Sequence, residues 1–232
     1  MRGRLTGLLA TGVLMALVAL VLNACGGGAS GAGGSNGGEH HQEAKARPLP
    51  QEKALRPGEY HSEEFKPAFS FHVGKGWRTS SDLTEAPDRL IIAEGKEVKG
   101  FLNLLIFRNV HEVYDSQKHK WVEVNSSKEI VSWFQHHPYL KAEKPQPVMV
   151  GGVKGVQFDY VLAEDSPEDA VKSFRYSDGL VASVDRGTNN QGLILDVKGE
   201  TVSITIGSAT SEFDEFLPRA QKVVDTVKWG DS

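Results

Sequence analysis

The sequence predicts an α+β domain, a mostly antiparallel sheet with helices packed on it, preceded by a signal helix and a disordered tether. Three observations carry this. Short apolar runs with a period of two recur after residue 58, separated by Gly, Pro and Asn/Asp turn signals. Two later stretches, near 127–137 and 211–227, switch to helical spacing. Before all of them stand an uncharged apolar run and a glycine tract that cannot belong to a packed core.

In chain order, Arg2 and Arg4 form a short positive segment, and Leu5 to Leu22 follow without a charge. This is a signal-peptide pattern near the lower length limit for a helix crossing about 30 Å of hydrocarbon. The end of the run decides between the two readings. Leu22, Asn23, Ala24 and Cys25 resemble the lipobox of bacterial lipoprotein precursors: aliphatic at −3, small at −1, then cysteine as the first mature residue, with Asn23 a departure at −2. Cys25 is the only cysteine and so cannot close an intramolecular disulfide. Residues 1–24 read as a signal peptide, and Cys25 reads as the lipidation site. Acyl chains on it contribute about 0.8 kcal/mol per buried methylene, enough for two or three to hold the chain on the extracytoplasmic face of the cell membrane.

From Gly26 to Gly38 the composition is almost wholly Gly, Ala and Ser, and Glu39 to Pro57 is charged and proline-bearing. Residues 25–57 are therefore expected to be a flexible tether, and 58–230 one folded domain. Without the signal the chain has 24 basic and 30 acidic residues, a formal balance of −6. That balance, with no dense Lys/Arg cluster, argues against a nucleic-acid partner.

Within the domain, Tyr60 to Phe65 and Phe69 to Val73 read as short strands interrupted at Pro67, and Gly74, Gly76 and Trp77 as a turn delivering an indole to the core. Leu90 to Ala93 and the continuous apolar run Phe101 to Phe107 read as strands, the latter covered on both faces. Val110 to Tyr114 and Lys120 to Val124 form a candidate hairpin around a polar tip. Ser126 three residues before Glu129 has capping-box spacing, which opens a helix from about Ser127 to His137 that Pro138 stops. Val148 to Val150, Gly151-Gly152 and Val153 to Leu162 make a second hairpin. Ser166-Pro167-Glu168-Asp169 resembles a helix start. Leu193 to Val197, Lys198-Gly199-Glu200 and Thr201 to Ile206 make a third hairpin, with Val202, Ile204 and Ile206 on one face. Ser211 then caps an amphipathic helix carrying Phe213, Phe216, Leu217, Ala220, Val223, Val224 and Val227, with Pro218 removing one backbone bond.

This order of segments, with Trp77 after Gly76, "PVMVGGVKG", "LILDVKGETVSITIG" and the closing Phe213/Phe216 to Val227/Trp229 helix, resembles the PsbP-like α/β/α sandwiches of secreted or membrane-anchored bacterial proteins. The resemblance covers most of residues 60–229. It implies a PsbP-like sandwich architecture and a non-enzymatic accessory or binding role, and it carries no catalytic residue across.

His40-His41 and His136-His137 are adjacent pairs without the i, i+4 geometry of chelation, and are expected to be solvated or helix-terminal. His111, Asp115 and His119 would share a helix face, but they stand in strand-and-turn sequence. Glu164, Asp165, Glu168 and Asp169 lack the order of a calcium loop. No G-x-S-x-G stands on a strand-to-helix elbow, there is no P-loop, and the lone cysteine belongs to the lipobox. No catalytic residue, metal or cofactor is expected. Trp77, Trp133 and Trp229 read as core, whereas Trp121, beside His119 and Lys120, reads as a surface contact. The expectation is a membrane-anchored, non-catalytic module that meets the membrane through its lipid and binds an unknown protein or small molecule, the alternative being an enzyme or metal-dependent module with an unrecognised site.

Overall fold

The computed structural model describes residues 46–51, 53–79, 85–98 and 101–230, with backbone alone for 96–98 and 101. The expected signal peptide, Cys25 and residues 26–45 of the expected tether lie outside the described residues.

The chain enters through β1 (Arg47–Pro48), β2 (Gly58–His61), β3 (Phe69–Val73) and β4 (Trp77–Thr79). Next come β5 (Glu85–Ala86), β6 (Arg89–Val98), β7 (Phe101–Asn109), β8 (Glu112–Asp115) and β9 (Lys120–Glu123). Helix α1 (Ser127–His136) leads to β10 (Leu140–Ala142), β11 (Gln146–Val150), β12 (Val153–Leu162), β13 (Ala170–Arg175) and β14 (Val181–Asp185). The chain closes with β15 (Thr188–Val197), β16 (Glu200–Ala209), α2 (Phe213–Val224) and β17 (Lys228–Trp229).

The centre is a nine-stranded sheet ordered β10-β12-β15-β16-β7-β6-β4, with β11 on β12 and β5 on β6, all antiparallel. Alternation along its strands divides the core in two. Leu193, Leu195, Val202, Ile204, Ile206, Leu105 and Phe107 meet Phe213, Phe216, Ala220, Val223 and Val224 of α2, together with Phe69, Phe71 and Val73. Residue Ile194, one step along β15, faces the other way and joins Phe158, Tyr160, Ile130, Phe134, Val113 and Phe174 in a second core. The first face is thus covered by α2 and the sheet β1-β2-β3-β17, and the second by α1 and the sheet β14-β13-β8-β9. Mostly antiparallel sheets with two helices, among the described residues, meet the expected α+β class.

Local chemistry explains the joints. The β15–β16 hairpin turns on Lys198 and Gly199, both at positive φ (52° and 92°), the backbone a two-residue hairpin needs. At Gly155, β12 runs so close to β15 that a Cβ would collide with the Ile194 carbonyl oxygen. The α1 start is the expected one: Ser126 Oγ accepts from Glu129 N, while Glu129 Oε2 accepts from Asn125 N at 2.7 Å.

Three expectations are corrected. The fold does not begin at Gly58. Within the stretch assigned to the tether, β1 pairs parallel with β2, Arg47 stacks over Tyr60 at 4.6 Å, and Leu55 is 4% exposed with its N–H on Trp77 O. Residues 166–169 form no helix, because Arg186 gathers that loop, donating to Asp169 Oδ1 and to the carbonyls of Glu164, Ser166 and Glu168. Ser211 is not the cap of α2, whose N-cap is Glu212 with no side-chain bond. Pro218 sits inside α2, where its missing N–H gives up one backbone bond and the helix continues.

Candidate functional site

A groove of about 510 Å³ lies between α1 and the β8–β9 hairpin. Cross-strand register sets its wall. Val113 pairs with Val122, and both line the groove with Val124, Trp133 and Pro138. The next pair, Tyr114 and Trp121, faces the opposite side of the hairpin. One bond that ties helix to hairpin runs from Trp133 Nε1–H to Tyr114 O at 3.0 Å. Trp133 also lies edge-on to Phe134 and His137, with ring centroids 4.8 Å away in each case, so its orientation is fixed from two sides.

At the floor, Ser116 Oγ is 2.8 Å from His137 Nε2. A hydroxyl on an imidazole is the geometry of an activated nucleophile, so the proton's position decides what the pair can do. The backbone N–H of Tyr139 donates to His137 Nδ1 at 3.2 Å, so Nδ1 must carry a lone pair. The neutral ring then bears its proton on Nε2 and donates it to Ser116 Oγ. In this tautomer the imidazole has no lone pair with which to take the serine proton. Burial sets the charge state, since His137 is 7% exposed and desolvation lowers its pKa to about 4, against a smaller opposing pull from Asp115. Asp115 stays ionised, held below the usual carboxylate range first by the Lys118 backbone N–H and then by its ammonium. A carboxylate oriented on Nδ1, as in a catalytic triad, is replaced here by a peptide N–H.

The sequence candidates fall as follows. Cys25, the lipidation candidate, lies outside the described residues. Trp121 is half-buried away from the groove, edge-on to Tyr114 at 5.2 Å and beneath the Arg175 guanidinium at 5.1 Å. His136 is exposed in the last turn of α1, with Nδ1 2.8 Å from Ser132 O, whereas His137 is buried and neutral rather than solvated. His111, Asp115 and His119 are spread over a strand and its turn, and His119 adopts a φ of 50°. Among the described residues no group of three or more His, Cys, Asp or Glu is placed to hold a metal ion. Arg186 supplies the positive charge that Asp169 meets, at 2.8 Å. Sequence reasoning missed the Ser116–His137 pair because its partners are 21 residues apart and meet only when α1 docks on the hairpin.

Comparison with solved structures finds neighbours at low identity. One is the solution structure of cyanobacterial PsbP (CyanoP) from Synechocystis sp. PCC 6803, 8% identical with a TM-score of 0.40, covering 76% of this chain and 95% of that one. Another is the crystal structure of LpqN, involved in cell envelope biogenesis of Mycobacterium tuberculosis, 9% identical with a TM-score of 0.36, covering 77% and 90%. No family model and no curated protein sequence matches the chain. Among the described residues no helix is long and apolar enough to cross a membrane.

Proposed function

We propose that this chain is a lipid-anchored accessory protein of the cell envelope whose domain binds a ligand in the α1–hairpin groove without chemical conversion. The observation that carries the reading is the Tyr139 N–H on His137 Nδ1, which leaves Ser116 opposite a proton donor. The rest of the groove supports recognition. Its wall of valines, Trp133 and Pro138 suits an apolar or aromatic body, and Gln117, Ser132 and Glu129 at its edge supply orienting polar groups. Anchoring rests on the lipobox ending at Cys25.

The test is ligand-observed NMR of the full chain with a library of small aromatic fragments, with each hit mapped by amide shifts. Hits should converge on Val122, Trp133 and His137 and disappear in Trp133→Ala. Hits scattered over the surface, or turnover of an ester or phosphoester that Ser116→Ala abolishes, would overturn the proposal.

A further inference from the structure

The second face of the central sheet carries a feature that the groove does not use. Arg89 on β6 and Arg108 on β7 are cross-strand partners, both 4% exposed. Arg89 is compensated: its guanidinium meets Asp178 at 2.6 Å and lies over the Tyr176 ring at 5.2 Å. Arg108 is not. Its guanidinium stacks over Phe174 at 5.1 Å and Tyr176 at 5.9 Å, yet among the described residues it has no carboxylate within salt-bridge distance and no hydrogen bond, and its Nε is buried without a partner. A buried charge without a counter-charge is costly, and Arg cannot escape by losing its proton. Tyr160 does not neutralise it, because burial raises that phenol's pKa and keeps it protonated.

Arg108 lines a chamber of about 270 Å³ between the central sheet and β13–β14. Leu102, Leu104 and Ile106, the same-face residues preceding it on β7, form an apolar wall, and Tyr160, Thr205 and Asn190 stand among the polar lining. We infer that this chamber binds a small monocarboxylate with an apolar body, its carboxylate received by the Arg108 guanidinium. The planar fork of Arg matches a carboxylate in two parallel hydrogen bonds, and contact with two ring faces limits how far the guanidinium can move. One charge is favoured over two, because Asp185 shares the chamber and would repel a phosphate dianion. The volume of about 270 Å³ favours a short chain.

Titration of the full chain in lipid nanodiscs tests this with hexanoate, its neutral analogue hexanamide, hexadecanoate and inorganic phosphate. Hexanoate should bind the wild type, with hexanamide and phosphate at least tenfold weaker. Arg108→Met should weaken hexanoate at least tenfold. Ile106→Glu should do the same by placing a competing carboxylate two residues away on the same strand face, and it carries the test should Arg108→Met not unfold cooperatively. Arg108-dependent binding of hexadecanoate instead of hexanoate would support the carboxylate and assign it to a lipid source. Equal binding of hexanoate and hexanamide, unchanged binding in the folded variants, or no binding of either acid would overturn the inference.

Discussion

Acid should destabilise this domain through His137. In the fold the ring titrates near pH 4, against an ordinary value of 6.5. Between those values the unfolded chain holds a proton that the native state refuses, so stability falls as pH falls. The contribution is fully present above about pH 6.5 and is lost down to about pH 4. Each unit is worth about 1.4 kcal/mol, and allowing for partial titration at both ends the loss from pH 7 to pH 4 is about 3 kcal/mol. Gln at position 137 keeps an N–H for Ser116 but does not titrate. Urea unfolding of wild type and His137→Gln at pH 7, 5 and 4 should show the wild type losing about 3 kcal/mol more over that range. Parallel curves, or a ring that titrates near 6.5 by NMR, would refute the argument from desolvation.

Other perturbations have equally definite outcomes. Cys25→Ser should move the protein from the membrane to the soluble fraction; membrane retention of that variant would contradict lipid anchoring. Leu55→Ala should cost about 2–5 kcal/mol in denaturant unfolding, the range for a buried leucine, and a chain begun at Gly58 should melt well below one begun at Ala46. Phe216→Ala, which empties the α2 contact with Trp77 at 5.9 Å, should cost about 3–5 kcal/mol. Arg219→Met should destabilise more than Glu94→Gln, because the first strands a buried carboxylate held at 2.8 Å and the second leaves a neutral amide.

What the sequence disclosed, and what it hid, follows the range of the interactions. Hairpin β15–β16 was legible because a glycine-bearing turn and period-two alternation are local signals. Helix α1 was legible from Ser126 to Pro138, because cap and breaker both act within a turn. Residues 46–57 were misassigned because two leucines among prolines and charges give no period, and their order comes from Arg47 on Tyr60 and Leu55 beneath Trp77. The loop at 166–169 looked helical from its proline, but Arg186, 17 residues beyond Asp169, organises it. The site was least legible. Val113 and Val122 alternate visibly, but nothing near His137 in the chain announces that Tyr139 N–H will fix its tautomer or that Ser116 will meet it. Arg108 likewise follows an apolar run like any strand-ending charge, and its burial depends on Phe174 and Tyr176 arriving from the small sheet and the turn after it.

The central claim is that the groove receives a ligand without converting one, and the proton on His137 is where it can be tested most directly. Intact-mass analysis of the full chain after exposure to a fluorophosphonate at pH 7 reads whether Ser116 is activated. The account predicts an unchanged mass, since Nε2 of His137 holds its proton toward the hydroxyl. An adduct located on Ser116, and absent from His137→Gln, would contradict it.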